Sequence, residues 1–437
     1  MKNCTFGIVL LLFISTSAFG SGPSQQWVAR YNGQGNSDDY ASSLAIDSSG
    51  NVYVTGYSYG TDGINTDYAT IKYGPEGNQL WEARYNGPGN SDDYASSLAI
   101  DSSGNVYVTG NSTGSGTGYD YATIKYGPTG SQLWVKRYNG PDNSDDVAVA
   151  LAIDSSVNVY VTGYSYGADD INADYATIKY GPDGNQLWTR RYNGPDNSDE
   201  YAAALAVDNS GNVYVTGSSY GIETFSDYAT VKYASNGIQL WVARYNGPAN
   251  SDDDVAIALK VDSSGNAYVT GRSAGDGTNS DYATLKYGPN GNQLWVARYN
   301  GPWNDSDSAS ALALDSSGNT YVTGYSYSGD ASGDYTTIKY SPEGNELWVV
   351  SYNGPANDWD EAHNLAVDNS GNVCVTGNSY GIETYYDYAT IKYQQHDYCI
   401  SPVVGDLNND CKVDFEDFAI LVSHWLECNY ALEEDCW

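Results

Sequence analysis

The sequence predicts an all-β fold, a seven-bladed β-propeller with four-stranded blades. One observation is a hairpin pattern around Trp81, in which two runs rich in β-branched and aromatic residues flank a Gly-Pro-Glu-Gly-Asn turn. A second is its recurrence with spacings of 54, 53, 54, 53, 54 and 53 residues, marked by Trp27, Trp81, Trp134, Trp188, Trp241, Trp295 and Trp348. A fixed period of this length indicates a repeat architecture.

The third observation is the strand count, which predicts how the ring closes. The first three strands of the repeat occur seven times, the last ending at Tyr393, whereas the first tryptophan strand precedes all of them. We therefore expect residues 27–32 to complete the seventh blade, because a closed ring leaves no free sheet edges. The alternative is an open solenoid, which needs polar capping repeats that the first and last units do not resemble.

The residues of each segment in the repeat unit explain why it is expected to form a strand or a turn. Residues 40–46 alternate small or polar residues with apolar ones, which suits an inner strand where blades crowd the axis. Residues 47–51 form a tight turn in which Gly50 suits a positive φ. Val157 replaces this glycine in the third unit, at a cost of about 1 kcal/mol if the position needs positive φ. The Trp and Tyr residues of the fourth strand fit the wider rim, so most aromatic residues are expected to be structural.

Composition changes at both ends predict three segments. Lys2, the apolar run 6–14 and the small residues that follow are typical of a secretory signal peptide over 1–20. The alternative for this stretch is a buried N-terminal strand. The propeller is expected over 21–396 and a small separate module over 397–437. We therefore expect a secreted protein, extracellular or at the cell surface, with no membrane span because the apolar run is too short.

The net charge limits the binding partners that we expect, and the cysteines predict disulfides. Acidic residues outnumber basic ones 54 to 19, giving a net charge of −35, so nucleic acid and anionic membrane surfaces are poor partners. Cys374 stands where the other repeats carry tyrosine and is expected to be a lone buried thiol. Four more cysteines predict two disulfides whose three connectivities stay open: Cys399, Cys411, Cys428 and Cys436.

The repeat motif resembles a known family. Units reading Asp-Ser-Ser-Gly-Asn-Val-Tyr-Val-Thr-Gly, then Asp-Tyr-Ala-Thr-Ile-Lys-Tyr and Gln-Leu-Trp, are similar to the bacterial exported β-propeller repeats called SBBP, over roughly residues 27–393. The resemblance implies an extracellular or cell-surface scaffold without agreed catalytic residues.

Acidic residues repeat in the crossovers between blades. A ring of carboxylates could hold cations or a cationic partner; alternatively, each one pairs with a nearby arginine or caps backbone N–H groups of its own loop. The residues assigned to this position are Asp39, Asp93, Asp146, Glu200, Asp253, Asp307 and Asp360.

A specific binding site should break the repeat symmetry, and the last two crossovers break it most. Exposed tryptophan beside carboxylates suits sugar recognition, because an aromatic face stacks on the apolar face of a pyranose ring. Paired carboxylates also suit glycoside hydrolysis at defined separations, and simple loop drift is the third reading. No histidine precedes residue 363, which argues against a His-centred triad. The candidate ligand-binding residues are Trp303, Asp305, Asp358, Trp359, Glu361 and His363.

The C-terminal module carries a calcium-loop pattern. Oxygen ligands at alternating positions converge on one hard cation, followed by an amphipathic helical stretch. The segment resembles a dockerin repeat, with Cys411 in place of the usual loop glycine and one repeat where dockerins have two. That resemblance implies calcium as the cofactor and makes a cohesin-like partner doubtful. The ligand positions are Asp406, Asn408, Asp410, the Lys412 carbonyl, Asp414 and Asp417.

Three functions follow as hypotheses. The first is an exported non-catalytic scaffold that presents loops to a glycan or an extracellular protein, with a calcium-binding tail for attachment or capping. The second is a carbohydrate-active enzyme, a polysaccharide hydrolase or lyase, with its site at the symmetry-breaking loops. The third is a purely structural surface repeat without a small ligand.

Overall fold

The computed structural model describes residues 27–394, apart from 62, 168–171, 250–252, 330–331, 369–370 and 383–385. The predicted signal peptide, the dockerin-like module with its calcium ligands and the four C-terminal cysteines lie outside the described residues. The strands are β1 Asp39–Ile46, β2 Val52–Tyr59, β3 Thr66–Tyr73, β4 Gln79–Tyr85, β5 Asp93–Ile100, β6 Val106–Thr113, β7 Tyr119–Tyr126, β8 Gln132–Tyr138, β9 Asp146–Ile153, β10 Val159–Tyr166, β11 Ala173–Tyr180, β12 Gln186–Tyr192, β13 Glu200–Val207, β14 Val213–Tyr220, β15 Ser226–Tyr233, β16 Gln239–Tyr245, β17 Asp254–Val261, β18 Ala267–Ala274, β19 Ser280–Tyr287, β20 Gln293–Tyr299, β21 Asp307–Leu314, β22 Thr320–Tyr327, β23 Gly333–Tyr340, β24 Glu346–Tyr352, β25 Asp360–Val367, β26 Val373–Tyr380 and β27 Tyr386–Tyr393.

These strands form seven antiparallel sheets in chain order, each a blade. Six blades have four described strands and the seventh, β25-β26-β27, has three. The first strand of each blade packs beside the first strand of the next, from β1 and β5 through to β21 and β25. The seven-bladed propeller with four-stranded blades predicted from the sequence is therefore confirmed.

The turn between the first two strands explains the Asp-Ser-Ser-Gly-Asn-Val-Tyr motif. The Asp47 carboxylate accepts hydrogen bonds from the Ser49 and Asn51 backbone N–H groups, the Asn51 amide and the Tyr53 hydroxyl. Gly50 has φ 79°, and Val157 takes φ 62° at the same position of the third blade. The predicted requirement for positive φ is confirmed, and a β-branched residue is strained there.

The core lies between blades rather than within them. Tyr68 is fully buried, and its hydroxyl donates to the Ala122 carbonyl of the next blade. Trp81 packs on Tyr126 of that blade, with its indole N–H donating to the Pro128 carbonyl at 3.0 Å. Equivalent contacts recur around the propeller, which confirms that the repeat aromatics are mainly structural.

The predicted closure of blade seven is the part of the fold that the structure does not reproduce. Among the described residues, β27 pairs with β26 alone, and residues 27–32 form no strand. Trp27 nevertheless packs on Tyr73 and donates to the Pro75 carbonyl at 2.9 Å, as Trp81 does with the following blade. The segment thus takes the place of a fourth strand against blade one without pairing to blade seven.

Side-chain exposure shows that the seam is open. Tyr388 of β27 is 92% exposed, although its counterpart Tyr335 in blade six is fully buried. Leu44 of β1 is 59% exposed, whereas its counterpart Leu98 in blade two is 7% exposed. The two faces that would meet at the seam are therefore apart, and β27 cannot reach its predicted partner.

Candidate functional site

The crossovers between blades and the loops between second and third strands lie on one face. Thr66, which begins β3, donates its backbone N–H to Asp92 in the crossover leading to β5. Asn65 donates its side-chain amide to the Asn90 carbonyl of that crossover. The candidate residues in the last two crossovers therefore lie on the same face as the loops between second and third strands.

Trp303 is the most exposed predicted site residue with a large aromatic side chain. It lies in the crossover that leads into β21, and 61% of its surface is accessible. Its indole ring lies against Gly329 in the loop between β22 and β23, so closely that a Cβ at Gly329 would overlap the ring. The backbone of that loop therefore contacts the six-membered ring of the indole, while much of the side chain stays open to solvent.

Trp359 lies in the crossover that leads into β25, beside the far end of the β22–β23 loop. It is half-buried, with its ring 5.1 Å from that of Tyr325 and 5.3 Å from that of Tyr327. Gly333, which begins β23, lies beside it. The two predicted tryptophans thus flank one loop of blade six, Trp303 as an open surface and Trp359 within an aromatic cluster.

Of the predicted crossover carboxylates, one lies near Trp303 and one lies beside Trp359. Asp305, near Trp303, accepts hydrogen bonds from the Asn279 side chain at 2.9 Å and the Ser306 backbone at 2.8 Å. Asp358 accepts from the Trp359 backbone N–H. Both carboxylates hold their own loops in place.

Glu361 and His363 lie on β25, beyond Trp359. His363 Nδ1 is 3.9 Å from Glu361 Oε1, and the histidine is exposed. Burial raises the pKa of Tyr325, the charge of Glu361 raises it further, and the charge of Arg272 lowers it. Glu361 is therefore grouped with the Trp359 cluster, whereas Trp303 and Asp305 form a separate group.

A polar pocket of about 370 Å³ lies beside Asp305, and sequence reasoning missed it. It opens between the β18–β19 loop and the crossover that carries Trp303. Arg272, at its wall, is exposed and has no ion pair or hydrogen bond with the described residues. The signal in the sequence was Arg272 itself, which occupies a position held by Tyr57, Asn111, Tyr164, Ser218, Tyr325 and Asn378 elsewhere.

The repeated crossover carboxylates are buried structural groups. Asp93 Oδ2 accepts the Gly87 N–H at 2.6 Å, and Asp307 Oδ2 accepts the Gly301 N–H at the same distance. These bonds confirm the capping interpretation. In the fifth blade the buried residue is Asp254, bonded to the Gly247 N–H, so the assignment of Asp253 was wrong. One extra crossover residue shifts the register, because Asp254 is seven residues from its glycine instead of six.

Burial perturbs these carboxylates despite their hydrogen bonds. Desolvation raises the pKa of Asp146 to about 6 and that of Glu200 to about 7. The bonds from backbone N–H and serine hydroxyl groups oppose the shift. The turn carboxylates behave oppositely: hydrogen bonds from Asn105, Tyr107 and Ser103 outweigh the burial of Asp101 and lower its pKa.

The repeated basic residues are also structural. Arg137 is typical: its guanidinium pairs with Asp120 at 2.7 Å and binds the Ser112 carbonyl and the Tyr85 hydroxyl of the preceding blade. Lys125 lies over the Tyr107 ring, 5.0 Å from its centroid. The same arginine–aspartate pair recurs at Arg84, Arg191, Arg244 and Arg298.

Blade seven departs from this pattern at Cys374, which replaces the tyrosine. Among the described residues Cys374 has no disulfide partner, as predicted for a lone thiol, but it is half-buried rather than fully buried. Without a tyrosine ring beneath it, Lys392 forms an ion pair with Asp368 at 3.3 Å.

Two further properties concern the described residues as a group. They contain no cluster of three or more histidine, cysteine or acidic side chains that could hold a metal ion. Within the same part of the chain, no helix has the length and apolar character needed to cross a membrane.

Comparison with known proteins agrees with the observed repeats. Five stretches match the family model described as a beta-propeller repeat, SBBP: residues 26–64, 81–116, 133–172, 187–222 and 294–330. The chain carries SBBP-type beta-propeller repeats. The matched stretches include the crossover with Trp303 and the loop residue Gly329, so the symmetry-breaking pair lies inside an SBBP-type repeat.

Relatives add little about function. An uncharacterized WD repeat-containing protein of Acanthamoeba polyphaga mimivirus is 24% identical over 91% of this chain, which spans about a third (33%) of that relative's length. The propeller domain of the Trilobed protease from Pyrococcus furiosus is 7% identical, with a TM-score of 0.48 over 81% of this chain and 94% of its own. A Bacteroides caccae protein of unknown function is 12% identical, with a TM-score of 0.37 over 69% of this chain and 93% of its own.

Proposed function

We propose that this SBBP-type propeller is an exported, non-catalytic binding protein whose crossover face recognises a glycan. The observation that carries the proposal is the position of Trp303, an exposed indole in contact with the Gly329 backbone. A rigid aromatic surface is what a pyranose ring stacks on, and ordering it costs little because it is already held.

The surroundings support binding rather than a structural role for this residue. The repeat tryptophans are covered by the next blade, as Trp188 is at 7% exposure, whereas Trp303 lies outside that pattern. Asp305 and Asn279, bonded to each other nearby, are planar polar groups of the kind that hydrogen-bond sugar hydroxyls. Trp359 and Tyr325 extend the aromatic surface toward blade seven.

The test is a comparison of variants on a panel of immobilised polysaccharides. Trp303→Ala should abolish retention on any polysaccharide that the unmodified protein binds, and Trp359→Ala should weaken it. Phe225→Ala is the control, because Phe225 is a 51% exposed aromatic residue in the β14–β15 loop of blade four, on the same face of the propeller. Retention that Trp303→Ala and Phe225→Ala change equally would refute a site at Trp303.

Export and the C-terminal module are further parts of the proposal. We infer that residues 1–20 are removed on secretion and that the 397–437 segment binds calcium and serves for attachment or as a cap. Its composition supports this: Asp406, Asn408 and Asp410 alternate as hard-cation ligands do. An extracellular protein partner is an alternative to the glycan, and a cohesin-like partner would require docking through a single repeat.

The second candidate is a carbohydrate-active enzyme. The observation that favours it is that Asp358 and Glu361 lie close enough to Tyr386 for both charges to raise its pKa, after burial. Two carboxylates near an aromatic cluster suit general acid and base roles. Turnover of a polysaccharide that is lost in both Asp358→Ala and Glu361→Ala would establish this candidate in place of the first.

A further inference from the structure

The polar pocket lies in a part of blade five that lacks an aromatic pair found in three other blades. In three other blades a second-strand tyrosine packs on an aromatic residue of the following blade: Tyr57 on Tyr94, Tyr164 on Tyr201 and Tyr325 on Trp359. In blade five Arg272 takes the place of the tyrosine; Ser308 stands where Tyr94 and Tyr201 do, and Ser306, which lines the pocket, stands where Trp359 does. The pocket beside Arg272 has a volume of about 370 Å³, which accommodates a single sugar unit.

The pocket wall is polar and already held in place. Asp253 Oδ1 accepts bonds from the Ser226 hydroxyl at 2.8 Å and the Ser226 backbone at 3.2 Å. Asp305 fixes the opposite wall through Asn279 and Ser306, which both line the pocket. The polar groups therefore need little ordering when a ligand binds.

Arg272 differs from the arginines that repeat along the fourth strands. The arginines that repeat along the fourth strands are ion-paired, whereas Arg272 has no such partner among the described residues, despite the net charge of −35. Its guanidinium is close enough to Tyr325 for its charge to affect that hydroxyl. Arg272 therefore lines the pocket within charge range of the Trp359 cluster, and its planar set of donors has no other partner among the described residues.

We propose that this pocket is a subsite for one neutral hexose unit of the glycan, with Arg272 and Asp253 hydrogen-bonding adjacent hydroxyls; this rests on the proposed function. Arg272 supplies donors and Asp253 supplies an acceptor, which together match a vicinal diol. An anionic sugar fits less well, because its carboxylate would meet Asp253 and the strongly acidic surface. The pocket selects hydroxyl geometry while Trp303 supplies stacking.

The test is calorimetric titration of the full mature protein with cellohexaose, mannohexaose and trigalacturonate. We expect one neutral oligosaccharide to bind, and Arg272→Lys and Asp253→Asn each to weaken it by about tenfold or more, because each removes a charge-assisted hydrogen bond. Lys260→Gln is the control, since Lys260 is an exposed cation on β17 of the same blade. Thermal midpoints of all variants establish that they fold.

The other outcomes separate this inference from the proposed function. Trigalacturonate binding that is tighter, salt-sensitive and retained in Arg272→Lys would overturn the neutral-sugar assignment. Neutral binding that both pocket variants preserve and Trp303→Ala abolishes would overturn the subsite and leave the proposed function standing. Binding of no saccharide by the unmodified protein would refute the proposed function itself.

Discussion

The Trp303 indole and the Gly329 backbone are in direct contact, and the space between them leaves no room for a side chain at residue 329. The equivalent loop position in other blades holds Thr61, Ile222, Asp276 or Ile382. The crossover position of Trp303 holds glycine at Gly35 and Gly89. In blade six the crossover residue is large and the loop residue is glycine, which is the reverse of the arrangement in blade one. This reversal creates an exposed aromatic surface.

Gly329→Ala should therefore displace the Trp303 ring without unfolding the blade. The added methyl overlaps the indole, and the exposed loop can shift at a cost of about 1–2 kcal/mol or less. We expect glycan affinity to fall while the thermal midpoint changes little. Acrylamide quenching of tryptophan fluorescence checks the ring position, with Trp303→Ala as the reference. Unchanged affinity together with unchanged quenching would show that the contact does not position the ring.

Val157→Gly should stabilise the protein. Val157 has φ 62°, where a β-branched residue is strained and the equivalent Gly104 is not. Relief of that strain should raise the free energy of unfolding by about 1 kcal/mol, reduced somewhat by the lost packing of a half-buried side chain. Urea denaturation measures the change, and Gly104→Val in the neighbouring blade should give a change of opposite sign. A destabilised Val157→Gly variant would contradict this explanation.

Glu200 should make stability depend on pH in a defined direction. Its pKa is raised from 4.5 to about 7 in the folded protein, so the fold binds this proton more tightly than the unfolded chain does. Its contribution is fully present below pH 4.5 and is lost as the pH rises through 7. The loss amounts to about 3 kcal/mol, because each unit of pKa corresponds to about 1.4 kcal/mol.

The measurement is the free energy of unfolding of the unmodified protein and of Glu200→Gln at several pH values from 4 to 8. The difference between them should move in favour of Glu200→Gln as the pH rises, since glutamine carries no proton to lose. A difference that stays constant across this range would show that Glu200 is not protonated at mildly acid pH.

Ring closure can be tested with an engineered disulfide. Ala69 pairs with Arg84 across β3 and β4, so Ala389 should pair with Arg30 if residues 27–32 complete blade seven. Cross-strand neighbours have the separation a disulfide needs. In a Cys374→Ser background, the open seam predicts that Arg30→Cys with Ala389→Cys forms no disulfide within one chain, and a linked monomer found by peptide mass spectrometry would show that the ring closes. Val28→Cys with Ala389→Cys is the out-of-register control; linked dimers instead of monomers would mean that the seam is filled by a second copy.

Much of the fold was predictable because the repeat makes each blade an independent observation of the same pattern. The tryptophan spacing, the positive φ at Val157 and the interblade role of the aromatics were all readable without coordinates. The position of Asp254 was not, because the inserted crossover residue is visible only once the Gly247 hydrogen bond defines the register. Closure was predicted from strand counting, which ignores whether Tyr388 and Leu44 actually come together.

The candidate site was predicted only in part. Symmetry breaking identified Trp303 and Trp359, since a large residue in a loop of small ones stands out. It did not reveal that Gly329 supports Trp303, because a glycine in a loop is unremarkable until its neighbour is known. From the sequence alone Arg272 is one basic residue outside the repeated positions, and its significance depends on the pocket that it lines with Asp253 and Ser306.

The most direct test of the account is retention of the mature protein on a panel of immobilised polysaccharides, with calcium and with a chelator. We predict retention on at least one polysaccharide that survives chelation and is lost in Trp303→Ala, because recognition belongs to the propeller face and the calcium-loop segment is separate. Retention on none of them, in either condition, would contradict glycan recognition by this face.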